Sequence, residues 1–369
     1  MRLGLTELAR APGRFALIAA ATTLLIALVL VFSGIGTRHV ADLSGAVARS
    51  NADVLVLNTA AQGAVQASRV DEAAVGRLAT LAEVETAAPV GEARVSGRVD
   101  GRLYDVSLWG VPAGAPGAPR VVAGRPPSRP GEAVVDVADA HLGLPVGATL
   151  EIADTGDELR VVGLTEGRRF ASIPTVTVTY RQWAAIIDAT YPDADEVAPA
   201  LIAVTAAPGF DADDTAAAIT AFDPELSAGT PQTVAADLPG VAGVRASFAA
   251  ATLVALVAIS ATVGLFFLVG VVHRRRSLAL LRAVGARPAT LSAALFTQVA
   301  VLVGVGTVLA GGLVAVTAHL APARVPLAFS GGLLAATAGA TLAVALLSTA
   351  AAARLLRRVD PAEALGLQP

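Results

Sequence analysis

Few residues in this 369-residue sequence are arranged to do chemistry. The four histidines, His39, His141, His273 and His319, show neither the H-E-x-x-H nor the H-x-x-x-H spacing that puts two imidazoles on one helix face. His39 and His319 each lie beside an apolar run and have the chemistry to bind a ligand such as haem. Amphipathic side chains at a wet boundary are the plainer reading. Cysteine is absent, which removes disulfides, thiolate metal sites and thiol nucleophiles. No G-x-S-x-G turn exposes a serine. All 27 basic side chains are Arg, so the loop G-x-x-x-x-G-K-[ST], whose Lys reaches the β- and γ-phosphates, is excluded. Asp193-Ala194-Asp195-Glu196 and Asp211-Ala212-Asp213-Asp214 lack the glycine and final Glu spacing of a calcium loop. The second group precedes a helical pattern, where free N–H groups favour acids. No opposed carboxylates line an apolar run, which argues against a proton relay. No catalytic, cofactor or metal site is assigned, and nothing points to nucleic acid.

The elements around these residues account for the scarcity. Hydrophobic residues make up 54% of the chain and charged ones 15%, against about a quarter charged in soluble domains. The apolar excess is gathered into four stretches free of Asp, Glu, Lys and Arg: Phe15–Thr37, Ala246–Val272, Pro288–Ala323 and Val325–Ala353. A helix needs about 20 apolar residues to cross hydrocarbon, and each stretch suffices. The first is longer than the core of a secretory signal and exits through Ser33-Gly34-Ile35-Gly36 without an A-x-A-like site, so it reads as an uncleaved anchor. The fold class expected is a membrane protein with four transmembrane α-helices and a large extracytoplasmic α+β domain between the first two. A cytoplasmic amphipathic segment (1–14) precedes spans at 15–37, 246–272, 288–318 and 326–353. The external domain is 38–245, the cytoplasmic loop 273–287, the short external loop 319–325 and the cytoplasmic tail 354–369.

Arginines set the expected orientation. Arg2, Arg10 and Arg14 precede the first span, and Arg274, Arg275, Arg276, Arg282 and Arg287 lie between the second and third. Arg354, Arg357 and Arg358 follow the fourth, whereas the connection before it offers only Arg324. The positive-inside bias of short loops places both termini in the cytoplasm of a multi-pass membrane protein. The 27 acids and 15 arginines of residues 38–245 do not enter this reading, because long domains translocate largely regardless of charge.

Within 38–245, Asp53–Leu57 reads as a buried strand. Val70, Ala74, Val75, Leu78 and Leu81 have helical spacing over 70–84. Strands are predicted at Tyr104–Trp109, Ala133–Val137, Thr149–Ile152, Leu159–Leu164 and Thr175–Thr179, separated by Gly and Pro clusters. A helix over Gln182–Thr190, a strand at Ala200–Thr205 and a helix at Asp213–Phe222 follow. The order fits a split βαβ subdomain interrupted by a small β-rich insert.

The loop His273-Arg274-Arg275-Arg276-Ser277-Leu278-Ala279-Leu280-Leu281-Arg282-Ala283-Val284-Gly285-Ala286-Arg287 is more than a basic connector. Leu280, Leu281 and Val284 fall on one side of a short amphipathic helix, which suits docking. Gly285 ends the helix and Pro288 starts the next. This segment resembles the FtsX-like permeases of MacB-type ABC transporters, whose second span runs into R-x-R-E-x-A-x-L-R-A-x-G-A. Arg276, Ala279, Leu281, Arg282, Ala283, Gly285 and Ala286 match, while Ser277 stands where the family usually carries Glu. Leu5–Arg10 with Gly13-Arg14-Phe15, Asn51–Val56 and the tail Arg358–Leu365 agree with the family as well. The likeness spans essentially the whole chain and is nearest to DevC- and HrtB-type permeases. Leu43-Ser44-Gly45-Ala46 resembles the start of an ABC signature but lacks the rest of an ATPase and reads as chance.

The resemblance implies a non-catalytic permease subunit. A separate ABC ATPase dimer binds the ATP and pushes the cytoplasmic loops of a permease homodimer. Its external domains then move, exporting or extracting a substrate at the outer side of the membrane, with membrane lipids and an extracytoplasmic partner in contact. Arg276, Leu280, Leu281, Arg282, Ala283, Val284, Gly285 and Ala286 are the expected ATPase-coupling residues. Gly331, Ala335 and Gly339 offer a close-packing face on the fourth span. The alternative reading is an FtsX-like mechanical regulator of a cell-wall hydrolase.

Overall fold

The computed structural model describes residues 12–193, 197–273, 288–320 and 331–357. They form two units, one of His39–Arg245 and the other of Met1–Arg38 with Ala246–Pro369. Helix α1 (Pro12–Ala48) has no charged side chain between Arg14 and Arg38. The sequence predicts a span ending at residue 37, yet the helix continues to Ala48. The cause is a second core: Val40, Leu43, Ala46 and Val47 recur at helical spacing and pack into the β-rich unit.

That unit begins with β1 (Val54–Asn58), α2 (Ala73–Leu78) and the 16-residue β2 (Val84–Val99). The helix predicted over 70–84 shrinks to six residues. The Asp71 carboxylate accepts from the Ala73 N–H at 2.9 Å, and Val84 already lies in β2. Val70, Ala74 and Leu78 nevertheless form the buried face that their spacing predicts. An Asp100-Gly101 turn, positive in φ at both residues, leads into β3 (Arg102–Val111). Then come β4 (Val121–Gly124), β5 (Glu132–Asp136), β6 (Thr149–Ile152), β7 (Glu158–Thr165), β8 (Thr175–Thr179) and α3 (Tyr180–Thr190). The unit finishes with β9 (Leu201–Ala206), α4 (Ala212–Phe222), β10 (Leu226–Gly229) and α5 (Pro231–Asp237). Asp211 caps α4, accepting from the Asp214 N–H at 2.7 Å, the helix-start role its sequence position indicated.

The strands pair in two groups joined by β2. Order β10-β1-β9-β2, antiparallel throughout, places β1 and β2 parallel with β9 between them, the arrangement of a split βαβ. Beyond Val90 the same strand turns to β3, and the pairings β2-β3-β8-β5-β7-β6 return to β2, closing a six-stranded barrel with β4 outside. Closure leaves few free edges. Alternation in β1 sends Val54 and Val56 to the α2/α4 side and Leu55 and Leu57 to the opposite core, so both faces of this sheet are covered.

At the point where β2 changes partners, Gly91 lies opposite Gly110 of β3. The Trp183 side chain of α3 occupies the space above both. A Cβ on Gly91 would lie 2.2 Å from Trp183 Cδ2, and one on Gly110 2.3 Å from Trp183 Cβ. Tyr180 stacks on the indole at 5.5 Å.

In the other unit, α1 packs with α6 (Val241–His273), α7 (Pro288–Leu320) and α8 (Gly331–Arg357). Three described helices, Ala16–Ala48, Val241–Ile259 and Phe296–Thr317, are long and apolar enough to cross a membrane, and α8 holds a shorter apolar segment, Leu334–Leu347. Large apolar side chains point outward, Val308 at 74% exposure and Leu347 at 70%, as lipid contact requires. Close approach occurs at Gly36, where a Cβ would meet Phe248 Cγ at 2.6 Å, and at Gly306 against Ile26 and Thr22. At Gly331 and Gly339, expected to be part of a packing face, a Cβ would meet no atom of the described residues within 4 Å.

Gly91→Val should drive a side chain into the Trp183 ring and destabilise the external unit by about 1–3 kcal/mol, and Trp183→Ala by about 3–5 kcal/mol. Thermal unfolding of the chain in lipid nanodiscs, followed by circular dichroism, reads both. Wild-type melting of Gly91→Val would contradict the packing described.

Candidate functional site

The described residues contain no group of three or more His, Cys, Asp or Glu that could hold a metal ion. What they do contain is a joint between the end of α1 and the barrel. After β7 the chain runs through 166–172 as a strap across α1. The Ala46 N–H donates to the Arg169 carbonyl at 3.1 Å. The Ala171 and Ser172 N–H groups donate to the carbonyls of Leu43 and Asp42 at 3.1 and 2.9 Å. Such backbone contact against a helix needs a residue without a side chain, and Gly45 supplies it: a Cβ there would lie 2.2 Å from the Gly167 carbonyl oxygen. The Leu43–Ala46 tetrapeptide therefore has a structural reason in this chain. Ala171 and Ser172 sit in the left-handed region (φ 51° and 59°), conformations that persist only where surrounding contacts impose them.

Buried charge holds the strap. Asp139, fully buried, lies with Oδ1 3.1 Å from Arg169 Nε, a close ion pair without hydrogen-bond alignment, and its Oδ2 accepts from the Thr175 N–H at 3.3 Å. The other side of Arg169 reaches Asp42 of α1 at 3.4 Å. Arg168 donates to the Arg49 carbonyl at 3.0 Å, and its backbone N–H donates to Asp136 at 2.7 Å. Burial lowers the Arg168 guanidinium to about 10 and pushes the Asp139 carboxyl up to about 7, the latter against the pull of Arg169. Removing Arg169 would leave the Asp139 carboxyl buried without its cation and held neutral by burial, whereas removing Asp139 would leave Arg169 with Asp42 alone. Trp109 and Phe170, edge to face at 5.2 Å, extend the same core toward Leu55, Leu57 and Ala203.

A second polar group is buried beside the β2 crossing. The Trp109 indole N–H donates to Ser107 Oγ at 2.8 Å, and the Ser107 hydroxyl donates to Glu92 Oε1 at 2.9 Å. Glu92 is 3% exposed, and burial pushes its carboxyl up to about 7 despite the Ser107 bond and the arginines Arg69 and Arg94.

Of the sequence-predicted coupling residues, Arg276, Leu280, Leu281, Arg282, Ala283, Val284, Gly285 and Ala286 all lie outside the described residues. Arg168, Arg169, Asp139, Asp42, Gly45 and Glu92 escaped the sequence reading. Glycines inside strands, Gly91 and Gly110, and the pair Arg168-Arg169 in an apolar setting were the available signals.

Both raised carboxyls bind their protons more tightly in the folded state. Their stabilising contribution is complete below about pH 4 and is lost as pH rises through about 7. Glu92→Gln should remove its share of that loss, about 2–3 kcal/mol between pH 5 and pH 8. Melting curves of both proteins across this range measure it, and an unchanged pH slope in the variant would contradict the assignment.

Comparison with known proteins places these parts in context. Residues 15–222 match the family model of the MacB-like periplasmic core domain, and residues 248–361 that of the FtsX-like permease C-terminal region. An uncharacterized ABC transporter permease of Mycobacterium tuberculosis strain H37Rv is 30% identical over 160 residues, 43% of this chain and 44% of the relative. One from Mycobacterium bovis is 29% identical over 163 residues, again 43% and 44%. The chain thus spans less than half the length of the curated relatives it matches. The periplasmic region of MacB from Actinobacillus actinomycetemcomitans aligns with TM-score 0.38 and 11% identity, covering 50% of this chain and 92% of that one. The extracellular domain of the noncanonic ABC-type transporter YknZ from Gram-positive bacteria aligns at 0.33 and 12%, covering 48% and 99%.

Proposed function

The chain belongs to the family of FtsX-like permeases with a MacB-like periplasmic core domain, and from that premise we propose that it is the membrane subunit of an ATP-driven transporter whose ATPase is a separate chain. The observation that carries this reading is the succession of the two family matches along one chain, together with an apolar helix on each side of the β-rich unit. The absence of any Lys, and with it of a phosphate-binding loop, supports hydrolysis in a partner.

In this reading four helices span a bacterial plasma membrane at 15–37, 246–272, 288–318 and 326–353, with both termini and the loop 273–287 in the cytoplasm. An ATPase dimer bears on Arg276 and Leu280–Ala286 of each of two permease copies. Apolar anchors carry most of such a contact, and the surrounding arginines set its orientation. Motion reaches the external unit through the helices that enter it, and the strap keeps the end of α1 from slipping against the barrel. The work is then done at the outer side of the membrane, by export or extraction of a substrate.

Two measurements test the proposal. The natural sequence has no Cys, so single cysteines report topology cleanly. Glu72→Cys should react with an impermeant thiol reagent in intact cells and Ser277→Cys should not; the reverse pattern would invert the orientation. Leu281→Asp should abolish copurification with the ATPase and permease-stimulated ATP hydrolysis while leaving membrane insertion intact. Ser277→Glu and Asp213→Ala should keep both activities. Wild-type stimulation by Leu281→Asp would remove the loop from the coupling role.

A further inference from the structure

Glu92 is only half used by the protein. Its Oε1 accepts the Ser107 hydroxyl, whose proton is committed because the Ser107 oxygen already receives the Trp109 N–H. Among the described residues no donor reaches Oε2. A carboxylate this deeply buried ordinarily has both oxygens satisfied. Here the side chain borders a cleft of about 610 Å³ between β2 and the C-terminal end of α3, a volume in the range of small-molecule sites, about 300–1,000 Å³.

The walls of this cleft restrict what enters it. Ala93, Ile187 and Val197 form an apolar floor. Two arginines stand on the rim with different standing. Arg94 is 3.5 Å from Asp105, so a protein carboxylate already answers its charge. Arg69 donates only to the carbonyls of Gln66 and Ser68, at 3.1 and 2.6 Å, and pairs with no carboxylate among the described residues. It is close enough to Glu92 to act on that carboxyl through space. Asp193 also lines the cleft, so a simple cation would be drawn to Glu92 and Asp193 but repelled by Arg69, and a simple anion would be drawn to Arg69 but repelled by both carboxylates. A ligand carrying both charges satisfies each group and leaves neither carboxylate nor guanidinium uncompensated.

We propose that this cleft is a binding site for a small zwitterion with an apolar body, an apolar amino acid or dipeptide. Its ammonium is received by Glu92 Oε2, its carboxylate faces Arg69, and its side chains lie on Ile187 and Val197. The site adjoins the crossing where β2 passes from one sheet to the other, so occupancy fixes a charge at the joint between the two halves of the external unit. An ammonium there also holds Glu92 in its ionised form, so binding weakens as pH falls below about 7. The inference does not depend on the permease reading, since binding requires no ATPase.

Isothermal titration calorimetry on the full chain in lipid nanodiscs, at neutral to slightly alkaline pH, tests the site with leucyl-leucine. N-acetyl-leucyl-leucine lacks the ammonium and leucyl-leucinamide lacks the carboxylate. Saturable binding of leucyl-leucine is expected, with each blocked peptide at least tenfold weaker. Glu92→Gln, which can still accept from Ser107, and Arg69→Met, an exposed position that leaves the core untouched, should each lose at least tenfold. Asp213→Ala should bind as wild type. Absence of saturable binding, equal binding of the blocked peptides, or wild-type affinity in Arg69→Met would each overturn the proposal, the last even where Glu92→Gln folds poorly. None of these outcomes bears on ATPase coupling, which the loop variants test separately.

Discussion

A single strand that serves two sheets is the constraint on which the external unit depends. β2 donates its first half to the split βαβ and its second half to the barrel. A strand continuous through that junction cannot rotate freely between the two. Gly91 and Gly110 then admit the Trp183 indole onto the crossing, and the ring prevents the pair from sliding. Because interiors pack at crystal-like density, such an interlocked point transmits displacement instead of absorbing it.

The end of α1 is fastened to the same body. Ala46 and Val47 share a core with Leu55 and Leu57 from the βαβ sheet and with Trp109 and Phe170 from the barrel half, so one apolar cluster draws on all three parts. The strap adds backbone hydrogen bonds to the helix, and the Asp42–Arg169–Asp139 chain ties one guanidinium to two carboxyls from different segments. A buried ionic group of this kind contributes less to net stability than to fixing one arrangement. In the proposed permease, fixing one arrangement is what a lever requires.

Much of this was readable from residue order where local rules govern. Continuous apolar runs announced the long helices. The strands Thr149–Ile152 and Thr175–Thr179 are bounded as their composition predicts: turn residues flank the first, while Pro174 precedes the second and Thr179 ends it by capping α3. Asp211 behaves as the helix cap its position implies. The failures share one cause, long-range contact overriding local preference. β2 has no counterpart among the predicted strands: it runs through Pro89, Gly91 and Gly97, and the α3 ring fills the space at Gly91 while Leu150 and Val106 fill it at Gly97. α1 outruns its membrane segment because the external core and a strap distant in sequence accept its last turns, as the bond between Ala46 and Arg169 shows. Ala171 and Ser172 carry left-handed backbone without the glycine that would have announced it. Glu92 stands in no motif, and only the fold brings Ser107 and Trp109 to it.

The central claim is that residues 39–245 move as one body. Spin labels at Glu72→Cys, the residue before α2, and at Asp188→Cys on α3 report on the βαβ core and the barrel core respectively, and pulsed electron paramagnetic resonance reads the distance between them. Recorded in the reconstituted complex without nucleotide, with ATP trapped and after hydrolysis, the distance distributions should superimpose. A resolved shift between nucleotide states would show the two halves hinging at the crossing and would contradict the account.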